Sequence, residues 1–167
     1  EMAGALRLGI IPSLAPYLVP LSIQPFIDAN PAVTVEVQEL HSRQIAELIK
    51  RDQIDAGLIS TPLHGRGVVD RMLFEEPLVG YVSSTHRLAQ QTELRAADLA
   101  LDDLWLPGEG HTLREQIIRL CPIESVNEAR RPALRIESTN LEALKRMVEG
   151  GRGLTILPKL ATNKSSM

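Results

Sequence analysis

An α/β fold of two small subdomains is what this sequence predicts, and three observations predict it. The first sixty residues alternate short apolar or β-branched runs with segments of helical periodicity, in the order β-α-β-α-β. That order marks a parallel sheet joined by crossover helices. The second half repeats strand, loop, helix after an extended stretch around residues 72–82. The chain is also long enough for such cores, with 167 residues of which 44% are hydrophobic.

Leu6 to Ile11 is an apolar run stopped by Pro12, and reads as a buried strand. Ser13 before Leu14-Ala15-Pro16 places a capping hydroxyl ahead of a proline in a first helical turn. The helix is expected to reach Ala29, with a kink or break at Pro20 and Pro25, because each removes a backbone donor. Val33 to Leu40 alternates β-branched and polar residues, which predicts a second strand. Ser42 to Arg51 carries Ile45, Leu48 and Ile49 on one helical stripe, and Ile54 to Ile59 reads as a third strand.

Met72 to Val82 reads as extended and interrupted at Pro77. It is followed by a short amphipathic stretch, Leu94 to Leu99, and a strand from Asp103 to Leu106. A turn at Gly108-Glu109-Gly110 precedes a helix from Thr112 to Leu120. Arg135 to Glu137 is expected as a strand, with Ser138-Thr139-Asn140 capping a helix through Glu149. Gly150-Gly151-Arg152-Gly153 closes that helix before a last strand, Leu154 to Leu157. The expected organisation is a first subdomain over 1–71, a crossover strand over 72–82 and a second subdomain over 83–167.

Composition narrows the function classes. Eighteen basic residues stand against 21 acidic ones, a formal net charge of −3, and the basic residues are scattered rather than clustered. A surface built to neutralise phosphates needs the opposite, so direct nucleic-acid binding by this chain is not expected. A single cysteine, Cys121, precludes an internal disulfide. No secretory signal opens the sequence and no apolar run approaches a bilayer span, so the expectation is a soluble, cytoplasmic protein without membrane contact. His41, His64, His86, His111 and Cys121 lack the paired spacing of metal ligands, and neither metal nor cofactor is expected. Ser13 is not in a G-x-S-x-G elbow, and Gly108-Glu109-Gly110 lacks the G-K-S/T of a phosphate loop. Gly151-Arg152-Gly153 follows a helix, whereas a dinucleotide fingerprint follows a strand. No acid–base or nucleophile constellation points to an enzyme.

One pattern remains. Ser13, His41 with Ser42, Ser60 with Thr61, His111 with Thr112, and Ser138 with Thr139 all fall at carboxyl ends of expected strands or at helix N-termini. In open α/β sheets ligands bind beyond the carboxyl ends of strands, where helix N–H groups receive anions. The plainer alternative for each residue is a helix cap contributing about 1 kcal/mol. Recurrence in both halves favours a shared cleft bounded by Ser13, His41, Ser42, Thr61, His111, Thr112 and Thr139. Its expected ligand is a small anionic or hydroxylated molecule, with His111 sensing charge.

Four segments carry a family resemblance: Leu6 to Tyr17 (LRLGIIPSLAPY), Ile54 to Pro62 (IDAGLISTP), Leu73 to Val82 (LFEEPLVGYV) and Gly150 to Leu160 (GGRGLTILPKL). In this order they resemble the effector domain of LysR-type transcription regulators over nearly the whole chain. The resemblance implies two Rossmann-like subdomains joined by crossover strands, as in periplasmic binding proteins, with a small-molecule effector between them. It also implies a homo-oligomer, dimer or tetramer, that touches DNA only through an N-terminal domain outside this sequence. The family's chain recrosses after its Leu-Pro-x-Leu-Ala segment, so the C-terminal return elements are expected to be missing and the first subdomain incomplete. A solute-binding protein of a transporter and a small α/β enzyme are the competing readings.

Leu104 to Cys121 (LWLPGEGHTLREQIIRLC) is most similar to the peroxide-sensing, OxyR-like branch of that family, whose pattern is G-H-C-[LF]-R-[DE]-Q followed by a second cysteine. His111, Leu113, Arg114, Gln116 and Cys121 match it, but Thr112 stands at the position of the reactive cysteine. Threonine cannot form a sulfenic acid or a disulfide. Cys121 occupies the resolving position with no partner to resolve and is expected to be redox-inactive, a small hydrophobe on a helix.

Overall fold

Leu6, Leu8 and Ile10 alternate with Arg7 and Gly9 along β1 (Gly4–Ile10), the central strand of a three-stranded parallel sheet. Its neighbours are β2 (Val33–Glu39) and the short β3 (Ala56–Leu58), in the order β2-β1-β3. The computed structural model describes residues 3–62, 67–99, 103–120, 138, 140–151 and 153–162. The chain divides into a first unit, Glu1–Glu75, and a second, Glu76–Met167.

In the first unit, the connection from β1 to β2 is helical but broken, as its prolines require. Helix α1 (Ala15–Leu18) passes through a π-helical turn, Val19–Ile23, into α2 (Gln24–Ala29). Pro20 has no N–H to continue an α-helical ladder, and the wider turn absorbs the break. The Ser22 hydroxyl donates to the Leu18 carbonyl at 2.7 Å within it. Ser13 does not cap this helix, contrary to expectation: the cap position is Leu14, without a side-chain hydrogen bond, and Ile11 O accepts from both Leu14 N and Ala15 N.

Helix α3 (Ser42–Lys50) lies against the sheet through Ile45, 1% exposed. Gly9 and Gly57 are register partners on β1 and β3, and together they leave the space that Ile45 fills. A Cβ on Gly57 would overlap the Ile45 side chain, and one on Gly9 would lie 2.9 Å from Ile45 Cγ1 and Ile54 Cδ1. Leu8, Ile10, Ile11, Leu14, Ala15, Ile45 and Ile54 form the core of this unit. At the other end of β3, Asp55 accepts from Arg7 N (2.7 Å), Nε (3.2 Å) and Nη2 (2.8 Å). Those hydrogen bonds hold the Asp55 carboxyl below its ordinary range and raise the Arg7 guanidinium.

The expected crossover strand forms only in part. Residues 72–77 have no regular structure, and β4 is Leu78–Val82, the stretch paired antiparallel with β5 (Leu154–Pro158) from Leu78↔Pro158 to Val82↔Leu154. An extended sequence becomes strand where a partner meets its N–H and C=O groups, and Pro77 offers no N–H. Glu76 and Pro77 instead anchor the second unit: Leu160 N donates to Glu76 Oε1 at 2.6 Å and Lys159 N to Pro77 O at 2.9 Å.

Every residue of β5 is buried, which suits a strand flanked on both edges. On its second edge the expected strand Asp103–Leu106 contracts to one parallel bridge, Leu104↔Leu154. Trp105 N donates to Leu154 O at 2.8 Å, and the fully buried Thr155 hydroxyl is satisfied by Trp105 O at 2.8 Å. Leu94 to Leu99 yields only a 3₁₀ turn, Ala96–Asp98. Helix α4 (Thr112–Leu120) buries Leu113 and Ile117, and α5 (Leu141–Glu149) buries Leu141, Leu144 and Val148. The Tyr81 hydroxyl donates to Glu149 Oε1 at 2.6 Å, joining β4 to α5. Burial first, and the carboxylate second, push its phenol up to about 12. The strand expected at Arg135–Glu137 lies outside the described residues.

Val69, Met72, Leu73 and Phe74 are exposed near the end of the first unit, in a stretch without strand or helix that also holds the exposed Arg71. Proteases cut where exposed backbone is unbound by secondary structure. Brief trypsin treatment is therefore expected to cleave first after Arg71, leaving Lys50 and Arg51 at the end of α3 intact. Mass analysis of the earliest fragments checks this, and a first cut inside α3 or α5 would contradict it.

Candidate functional site

In the first unit the sheet register alone brings the predicted residues to one edge. Ile10 is paired with Glu39 on one side and Leu58 on the other. Leu40 N donates to Ile10 O at 2.9 Å and Ile11 N to Leu58 O at 3.2 Å, so all three strands end on the same rung. Ser13, Ser42 and Thr61 each follow that rung by three residues, and His41 by two. This is the carboxyl edge of a parallel sheet, where backbone donors face outward. Ser13 is 2% exposed.

Capping does not account for these hydroxyls. The cap of α3 is His41, whose N–H donates to Gln44 Oε1 at 3.0 Å, while Ser42 is the first helical residue and is buried. The same shift by one residue occurs in the second unit. Thr112 opens α4, and the capping is done by His111: its Nδ1 accepts from Leu113 N at 3.3 Å and its carbonyl from Arg114 N at 2.9 Å. At α5 the cap is Asn140, with Oδ1 accepting from Glu142 N at 2.9 Å; Ser138 Oγ accepts from Asn140 N at 3.0 Å, one step earlier. Thr139 and Cys121 lie outside the described residues.

Within this unit the α4 and α5 N-termini are adjacent, because Gly108 N donates to Ser138 O at 2.9 Å. Arg114 Nη1 donates to Pro107 O at 3.0 Å and holds the same loop. Sequence reasoning missed this junction, since nothing in Gly108 or Ser138 alone signals the other. His111, 1% exposed, thus uses Nδ1 as the acceptor of this cap. Its first role is to set the start of α4. His111→Ala is expected to cost about 1 kcal/mol or more from the lost cap, whereas His111→Asn, which places an acceptor oxygen at the cap, recovers most of it. Urea unfolding of both variants tests this; equal losses would remove capping as the role of the imidazole.

His86 is occupied in the same manner. Nδ1 accepts from Leu88 N at 3.3 Å and Nε2 meets Asp103 Oδ2 at 3.2 Å, with Arg87 Nε 3.5 Å from the same oxygen. A His–carboxylate pair activates a nucleophile through its second ring nitrogen; here that nitrogen holds backbone, and Ser83 and Thr85 bond to each other at 3.1 Å. Among the described residues no three His, Cys, Asp or Glu side chains gather as metal ligands. No helix among them is long and apolar enough to cross a membrane.

Against known proteins, the family model described as LysR substrate binding domain matches residues 1–166. The hydrogen peroxide-inducible genes activator of Haemophilus influenzae is 29% identical over 161 residues, covering 96% of this chain and 52% of that protein. The DNA-binding transcriptional dual regulator OxyR of Escherichia coli K12 is 29% identical over 160 residues, 96% of this chain and 51% of the relative. The chain thus spans about half the length of these curated relatives. Among solved structures, the reduced OxyR regulatory domain of Pseudomonas aeruginosa superposes with a TM-score of 0.83 at 26% identity, over 99% of this chain and 77% of that one. OxyR from Porphyromonas gingivalis gives 0.83 at 29% identity, over 95% and 71%. The α/β fold expected from the resemblance, of the periplasmic-binding-protein kind, is that of these regulatory domains.

Proposed function

The chain belongs to the LysR substrate-binding domain family, and from that premise we propose that it is the effector-sensing domain of a bacterial, OxyR-like transcription regulator. In this reading the domain binds a small molecule and passes the binding energy to a DNA-binding domain elsewhere in the regulator. The working assembly is a cytoplasmic homo-oligomer, and this domain itself catalyses nothing. Regulators, not enzymes, are what the relatives' names describe.

The observation that carries the proposal is the alignment of Ser13, His41, Ser42 and Thr61 beyond one rung of the first unit's sheet. A ligand that meets the buried Ser13 hydroxyl at this edge gains a hydrogen bond there. We assign the effector contacts of the first unit to these four residues. Those of the second fall to Thr112, with His111 holding it in place; Thr139 is retained from the sequence pattern. The ligand class is small and anionic or hydroxylated, because backbone N–H groups and hydroxyls are what this edge offers. A ligand bound only by the folded state raises its melting temperature, so a thermal-shift screen of small carboxylates, phosphates and polyols on the intact regulator identifies it. With that compound, Ser13→Ala and Thr112→Ala are each expected to weaken binding by about 1 kcal/mol per lost hydrogen bond, roughly fivefold in Kd. Calorimetry showing wild-type affinity in both variants would return these residues to a purely structural role.

A further inference from the structure

We draw no further inference here: the strongest candidate, the exposed apolar strip Val69, Met72, Leu73 and Phe74 ahead of β4, carries nothing because nothing in the structure shows what covers it.

Discussion

Gly153→Ala is expected to destabilise the second unit by about 2–4 kcal/mol. Gly153 has φ +65°, a conformation that costs an L-residue roughly 1 kcal/mol or more. The larger penalty is steric. A Cβ there would run into the Asp103 carbonyl oxygen and lie 2.7 Å from Trp105 Nε1 and 2.9 Å from its Cδ1. Backbone on one side and a large indole on the other cannot both withdraw, because Trp105 N is hydrogen-bonded to Leu154 O and Trp105 O to the Thr155 hydroxyl. Strain of this kind adds about 1–3 kcal/mol of overpacking, so the sum reaches a large fraction of a domain's 5–15 kcal/mol. Trp105 is the only tryptophan in the chain, so its fluorescence during urea unfolding reports this site directly. A midpoint within experimental error of wild type would show that the approach of Asp103 to Gly153 is not close in solution.

The same region shows why part of the fold was legible in the sequence and part was not. The alternation of Val33, Val35 and Val37 and the stripe of Ile45, Leu48 and Ile49 are local periodicities, and β2 and α3 formed where they indicate. Asp103 to Leu106 has strand composition, yet it pairs with β5 only through the bridge Leu104↔Leu154. Whether an extended segment becomes a strand is decided by its neighbour, which its own residues do not encode. Of the expected caps, Asn140 of the Ser138-Thr139-Asn140 run caps α5, whereas Ser13 does not cap α1; at α4 the imidazole of His111, just ahead of the helix, accepts from Leu113 N. The pairs Arg7–Asp55, His86–Asp103 and Tyr81–Glu149 span 48, 17 and 68 residues, and no spacing rule within one sequence joins them. The candidate site of the first unit was legible because a parallel sheet puts every strand's carboxyl end on one edge.

Peroxide is expected to leave this chain almost unchanged and to act at once on the Thr112→Cys variant. The wild-type chain holds one sulfur nucleophile, Cys121, and four methionines, so intact mass should rise only slowly after treatment. Thr112 is the first residue of α4, a nine-residue helix. A sulfur there sits at the positive end of the helix dipole, which favours the thiolate that attacks peroxide. We expect its sulfenic acid, trapped with a cyclic dione, to form about tenfold or more faster than any adduct at Cys121. A disulfide to Cys121 demands more. At 1.5 Å per residue, Leu120 lies about 12 Å along the helix from Thr112, and one further Cα–Cα step of about 3.8 Å still leaves the partners beyond the roughly 7 Å limit for bridging. The bond can close only if α4 unwinds, so disulfide formation in the variant should coincide with loss of far-ultraviolet helix signal, and reduction should restore it. Fast, reversible oxidation of the unaltered chain at Cys121 would overturn the assignment of Thr112 as the residue that silences peroxide response. A disulfide in the variant without loss of helix would overturn the geometry on which that unwinding rests.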